Sequence, residues 1–278
     1  IEPIGEARND YDIFAGIARN LDTEYAFTEG RSAEDWQEWI WEQSRERASK
    51  LNVKMPDYQS FRKTGFYKSP ELNEDRIFLS DFINDPDTNP LKTPSGKIEI
   101  FSETIDSFNY EDCPGHPTWM EPTEWLGAKD KAYPLHLISN QPKTKLHSQM
   151  DNGTLSSSIK IKGHQPLEMN PDDAQSRGIT QGDIVRVFNG RGSCLCGANI
   201  TADVMPGVVI ISTGSWYDPA EPNDPKSMCK HGNPNVLSPD IGTSKLGQGP
   251  AAHSCLAEIE KYDGPVQDIT AFNPPEII

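Results

Sequence analysis

The spacing of apolar positions changes part-way along the chain. Between Asp10 and Leu21, Ile13, Phe14, Ile17 and Leu21 recur at helical intervals. Ser32 to Lys50 predicts a second helix, capped by Ser32 with Asp35 close behind, and with Trp36, Ile40 and Trp41 on one side. Thr93-Pro-Ser-Gly96 predicts a turn leading into Lys97-Ile-Glu-Ile-Phe101, which alternates like a half-buried strand. Residues 111–131, with several Pro and Gly, predict a linker. From Tyr133 short strands take over. Pro134–Ile138, Asp183–Asn189, Cys194–Ile200 and Val208–Ser212 are apolar runs, and Arg191-Gly192 marks a hairpin between the middle two. One short helix is signalled by Asn170 as N-cap, Pro171 in the first turn, acids at Asp172 and Asp173, and Gly178 at its end. Strands at this spacing with one short helix predict a compact barrel over 131–278, preceded by a mixed α/β segment over 1–130.

Composition narrows the class. The 278 residues fit one large domain or two ordinary ones, and 23 Pro with 21 Gly disfavour a long helical bundle. A formal charge of −16 disfavours nucleic acid, because phosphate binding needs a basic face. It is compatible with a solvated surface and with a basic protein partner. No stretch approaches the roughly 20 apolar residues of a membrane span, and no signal peptide or twin-arginine segment is visible. The chain opens Ile1-Glu2-Pro3 without an initiator Met, and the sequence alone does not fix the compartment. Five cysteines, sparse and odd in number, predict free thiols. A Cys194–Cys196 bridge along one strand face would be strained.

The richest run of polar chemistry is Ser139 to Gln149. Ser139, Asn140 and Gln141 offer hydroxyl and amide groups, Pro142 stiffens the turn, Lys145 offers a cation, and His147, Ser148 and Gln149 follow. A second cluster joins Asn233-Pro-Asn235 to Gly242-Thr-Ser-Lys245 and Gly247-Gln-Gly249, a phosphate cradle or a Gly-rich turn. It lacks the order of a P-loop. Trp216 and Tyr217 would line a ligand tunnel or the core. Cys113-x-x-His116 and Cys229-x-His231 lack a second pair at zinc-finger spacing, and no Gly-x-Ser-x-Gly elbow appears, which disfavours zinc and a serine hydrolase.

Leu137-Ile-Ser-Asn-Gln-Pro142, Leu146-His-Ser-Gln149, Asn170-Pro-Asp-Asp-Ala174, Gly182-Asp-Ile-Val-Arg-Val187, Gly214-Ser-Trp-Tyr-Asp-Pro219, Gly232 to Lys245 and Thr270-Ala-Phe-Asn-Pro274 occur together and in order. This set resembles the dimethyl sulfoxide reductase family of molybdenum enzymes, in its trimethylamine-N-oxide and biotin sulfoxide reductase branch. The resemblance covers nearly the whole chain but about the last third of such an enzyme. It implies a six-stranded double-psi β-barrel over 131–278, with 1–130 a remnant of the preceding α/β domain plus linker. The implied cofactor is bis(molybdopterin guanine dinucleotide) molybdenum. Its implied contacts are Ser139, Asn140, Gln141, Pro142, Lys145 (where relatives often carry Arg), His147, Ser148, Gln149 and Asn235, with backbone contacts from Gly249, Pro250 and Ala251. The serine ligand of the metal lies upstream in that family, so no catalytic or metal-binding residue is assigned here. Also implied are reduction of an N-oxide or S-oxide in anaerobic respiration, the upstream domains of the same reductase as partner, a c-type cytochrome as electron donor, and a periplasmic or, in the biotin sulfoxide branch, cytoplasmic site. A non-catalytic binding module and a formate or nitrate enzyme of the wider superfamily are the competing readings.

Overall fold

A computed structural model describes residues 3–70 and 77–274. The chain forms two compact units, residues 1–97 and 98–278. Among the described residues the first unit is helical: α1 (Asp10–Asn20), α2 (Glu24–Thr28), α3 (Ala33–Lys50), α4 (Tyr58–Thr64) and α5 (Ser80–Asn84).

Local chemistry sets the ends of these helices. The Ser32 hydroxyl accepts from Asp35 N while the Asp35 carboxylate accepts from Ser32 N, a reciprocal capping box on α3. Trp41 stacks on Phe61 and donates through Nε1 to the Pro56 carbonyl at 2.9 Å, tying α3 to α4. The expected apolar side of α1 is not a buried face. Ala15 and Ala18 are the buried positions, and Phe14 and Leu21 are 57% and 67% exposed. The expected strand over residues 97–101 does not form. Ile98 and Ile100 are 70% and 81% exposed, and an alternating segment with no partner strand has nothing to pair its backbone or cover its apolar side. The α/β expectation for this part is therefore met by its helices alone.

The second unit carries α6 (Glu103–Asp106), β1 (Leu135–Ile138), α7 (Thr154–Ser158), β2 (Pro166–Met169), α8 (Pro171–Ser176), β3 (Ile184–Phe188), β4 (Ser193–Ile200), β5 (Val208–Ile211), a 3-10 turn at Pro234–Val236, and β6 (Leu256–Lys261). The strands close in the order β1-β5-β2-β4-β3-β6. β1 with β5 and β2 with β4 are parallel; the other neighbours are antiparallel. Two crossed parallel pairs in a six-stranded closed sheet are the double-psi arrangement. β2 and β6 have no clear signal in the sequence. β2 is four residues long and opens on proline; β6 carries three charged residues in six.

Leu135, Leu137, Leu167, Met169, Val185, Val187, Val209, Ile211 and Ile259 fill the barrel and are essentially inaccessible. β4 is buried on both faces because residues 160–164 and the Cys229 segment cover its outside. A side chain at Gly197 would collide with Ile161, its β-carbon 2.3 Å from that of Ile161. α8 begins as expected, with the Asn170 side chain accepting from Asp172 N at 2.9 Å, and Gly178 follows its end at φ +64°. Residues 98–130 pack with the barrel. The Glu124 carboxylate pairs with Arg191 and accepts from Leu256 N at 2.8 Å. The division into compact units falls at residue 97. The five cysteines are free thiols, and Cys194 and Cys196 share a strand face with their sulfurs 3.9 Å apart.

Candidate functional site

Strand directions decide where the polar loops emerge. The carboxyl ends of β1, β3 and β5 and the amino ends of β2, β4 and β6 all lie at one end of the barrel. Residues 139–149 leave that end from β1, and residues 212–217 leave it from β5. Residues 160–165 enter β2 there, and 249–255 enter β6. The Asn235 turn joins the same end, since the Val236 carbonyl lies over Gly192 in the β3–β4 hairpin and Asn189 donates to the Leu237 carbonyl at 2.9 Å. The twelve residues singled out in the sequence therefore sit on loops of one barrel end.

Their side chains divide into two groups. Asn140, Gln141, His147, Ser148, Gln149 and Asn235 are exposed; Asn140 keeps its amide NH2 for a ligand and the other five present polar groups to solvent. Others brace the loops. Ser139 Oγ donates to the Ile211 carbonyl at 3.0 Å; Asn140 Oδ1 accepts from Ser212 Oγ at 2.7 Å, and its carbonyl accepts from Thr213 N. Pro142 is half-buried. Gly249 accepts from Thr243 N and Ala251 N donates to the Ile241 carbonyl, so these backbone groups and Pro250 close their own loop. Trp216 and Tyr217, 37% and 46% exposed, are not core; Trp216 Nε1 donates to the Ser148 carbonyl at 2.8 Å.

Lys145 departs from the sequence expectation. Its side chain is turned inward, 2% exposed, onto Asp151 Oδ1 at 2.5 Å. Lys160, 4% exposed, reaches the same oxygen at 3.0 Å. Asp151 Oδ2 accepts from Trp216 N at 3.1 Å. Burial alone would raise the Asp151 carboxyl, but hydrogen bonds from Lys145, Trp216 N and Lys160 outweigh it and hold it below the ordinary carboxylate range. Lys160 also meets His231 Nε2, while His231 Nδ1 donates to the Trp216 carbonyl at 3.0 Å. That pairing leaves Nε2 as the acceptor of a neutral ring. Burial, and then the Lys160 charge, push His231 down to about 4.

Asp151 and Lys160 escaped the sequence reading, Gly214 entered it only within a motif carrying the resemblance, and His231 entered it only as a zinc candidate. The available signal was Asp151 two residues beyond His-Ser-Gln149; nothing local marks Lys160.

The set fits an anionic, polar-edged ligand. Thr144 Oγ1, Thr213 Oγ1 and His164 Nε2 are buried without a hydrogen-bond partner among the described residues. Buried polar atoms normally have one. Thr144 lies in the loop itself, Thr213 on the segment leaving β5 and His164 on the segment entering β2. A nucleotide-linked pterin presents the ring edges and phosphates such groups recognise.

Residues 135–256 match the family model described as "Molydopterin dinucleotide binding domain". Over 99% of its length the chain is 45% identical to dimethyl sulfoxide/trimethylamine N-oxide reductase of Cereibacter sphaeroides, covering 34% of that protein. It is 45% identical over 97% of its length to trimethylamine-N-oxide reductase 1 of Escherichia coli K12, covering 32%. It is 44% identical over 96% to biotin sulfoxide reductase of Cereibacter sphaeroides, covering 36%. The chain thus spans about a third of the length of the curated relatives it matches. Among solved structures it superposes on acetylene hydratase from Pelobacter acetylenicus with a TM-score of 0.68 and 19% identity, over 94% of this chain and 34% of that one. That likeness speaks for the fold alone.

Proposed function

We propose, from the match of residues 135–256 to the molydopterin dinucleotide binding family model, that this chain is the cofactor-clamping part of a molybdenum reductase acting on an N-oxide or S-oxide, of the trimethylamine-N-oxide type. The observation that carries the reading is the convergence of the Ser139–Gln149 loop, Asn235 and Gly249–Ala251 on one barrel end, in a chain 45% identical to such reductases along 99% of its length.

In this reading Asn140, Gln141, His147, Ser148, Gln149 and Asn235 meet pterin and guanine edges and phosphate oxygens of bis(molybdopterin guanine dinucleotide). When bound, that group supplies the two-electron chemistry that turns an oxide into amine or sulfide and water. The chain's own residues bind and orient it. Ser139, Asn140 and Trp216 lock the loop to the end of β5, so the exposed side chains are presented with little freedom left to lose on binding. Lys145 contributes by charge from beneath rather than by a forked contact.

The remaining assignments follow from the same likeness. Residues 1–130 are read as the end of a preceding domain plus linker, with the rest of the reductase as partner. The electron donor is a c-type cytochrome and the site periplasmic, with the cytoplasm as alternative. A binding module without activity of its own is the competing reading.

The test is elemental analysis, release of guanine nucleotide, and oxide reduction with a reduced dye as donor. Stoichiometric molybdenum, guanine nucleotide and turnover of trimethylamine N-oxide support the reductase. Bound guanine nucleotide with no turnover in the whole protein supports the module.

A further inference from the structure

Beneath the Ser139–Gln149 loop lies a buried charge cluster whose signs do not balance. Lys145 and Lys160 share one oxygen of Asp151, and Lys230 stands 3.3 Å from Asp218. All five side chains are at most 7% exposed. His231, beside both groups, is held neutral by its burial and by the Lys160 charge, with Nε2 toward Lys160 and Nδ1 on the Trp216 carbonyl. Three ammonium groups thus face two carboxylates, and no further carboxylate pairs with these lysines among the described residues.

The cluster is also sealed. Asp218 accepts from Thr270 N, Thr270 Oγ1 and Ala271 N, which pins the segment after β6. Phe272 then lies against it, its ring 4.8 Å from Lys160 Nζ and edge-on to His231 at 5.0 Å. Water is kept from Lys160, so its charge is poorly screened. A surplus cation in such a place is costly unless an anion answers it.

We propose that Lys160 is a positioning residue for the dinucleotide: held by Asp151, His231 and Phe272, it keeps one uncompensated positive charge beneath the loop, which a phosphate-bearing ligand on the loop neutralises through the field rather than by contact. The inference rests on the functional reading above and deepens it. It assigns a binding role to a residue that lies outside the polar loop and touches no exposed ligand group. It also carries a signature that a bracing role lacks. Removing the charge should favour the empty protein and disfavour the loaded one.

The experiment uses the whole reductase in loaded and cofactor-depleted forms. Lys160→Gln keeps a donor for His231 Nε2 and removes the charge; Lys160→Arg keeps the charge. Two readouts are taken: the difference in Tm between loaded and depleted protein, and the rate of guanine nucleotide loss on dilution. Lys160→Gln is expected to leave the depleted Tm unchanged or raised, to narrow the difference, and to speed nucleotide loss on the order of ten-fold, the ratio that about 1.4 kcal/mol commands. Lys160→Arg restores both. A wild-type difference in Lys160→Gln overturns the inference. So does a depleted Lys160→Gln protein that melts lower than depleted wild type or fails to fold, because the charge would then serve folding alone. A wild-type protein that holds no dinucleotide after anaerobic expression overturns the functional reading itself, and this inference with it.

Discussion

The carbonyl oxygen of His147 occupies the place where any residue but glycine at position 214 would put its β-carbon, 1.8 Å away. Gly214 also has φ +92°, and His147 itself sits at φ +49°. The loop from β1 is thereby seated against the segment leaving β5, and its exposed polar groups are held by backbone. Gly214→Ala must move one segment or the other. Overpacking at a rigid site and an unfavourable φ together are expected to cost more than ~3 kcal/mol. Gly178→Ala, with no atom within 4 Å of its new methyl, is expected to cost about 1 kcal/mol. Urea midpoints of the two variants check the contrast, and guanine nucleotide content should fall only for Gly214→Ala.

Acid should weaken the second unit before its carboxylates are protonated. His231 is fully buried and held at about 4, against an ordinary value near 6.5. In the native fold its ring must stay neutral beside Lys160, whereas in the unfolded chain it takes a proton freely. The folded value is the lower one. The stabilisation is therefore complete above about pH 6.5 and lost as pH falls toward 4, a swing of roughly 3 kcal/mol. His164, depressed by burial, adds in the same direction. Asp151 and Asp218, held below their ordinary range, lose their contributions only at lower pH. Stability measured by urea unfolding at pH 7.5, 6 and 5 should decline, and His231→Gln should flatten part of that slope. An unchanged slope would refute the assignment of the neutral ring.

Asp218→Ala should free the segment that follows β6. The substitution removes three acceptor contacts to Thr270 and Ala271 and leaves Lys230 buried without its partner. Breaking a buried pair from one side costs about 3–5 kcal/mol. Limited proteolysis should cut near residues 265–272 in the variant and spare the wild type. Equal resistance of both would show that the tail is held elsewhere.

Thiol labelling should find a single accessible cysteine. Cys113 is partly exposed, while Cys194, Cys196, Cys229 and Cys255 are buried. Burial raises the Cys229 and Cys255 thiols, and Cys194 is raised by its hydrogen bond with Cys196 and then by burial. Native protein should therefore react at Cys113 alone, and the other four only at the rate of unfolding. Mass spectrometry after brief exposure to a maleimide gives the count.

The barrel was largely legible from its apolar runs. Ile184–Phe188 and Ser193–Ile200 carry enough β-branched and apolar residues, bounded by glycine, to announce themselves. β2 and β6 do not, because a four-residue strand beginning at Pro166 and a strand as charged as Leu256–Lys261 owe their state to neighbours far along the chain. Lys97–Phe101 fails the other way: its alternation is genuine, but no strand stands beside it. Among the polar groups, the exposed amides and His147 were visible as a motif. Lys160 and Asp151 were not, since the meaning of a buried ion pair lies in which distant loops close over it. Lys145 was read as a direct cofactor contact because nothing local reveals that Asp151 turns it inward.

The order in which the strands pair has a further consequence, for synthesis. β1 has no neighbour close in sequence; its partners are Val208–Ile211 and Leu256–Lys261. A chain leaving the ribosome at roughly 5–20 residues per second therefore holds Leu135 and Leu137 on an open edge for many seconds before the sheet can close. Closure through such distant pairings is slow and prone to association with other nascent chains. Until residue 261 has emerged, that edge stays open to association.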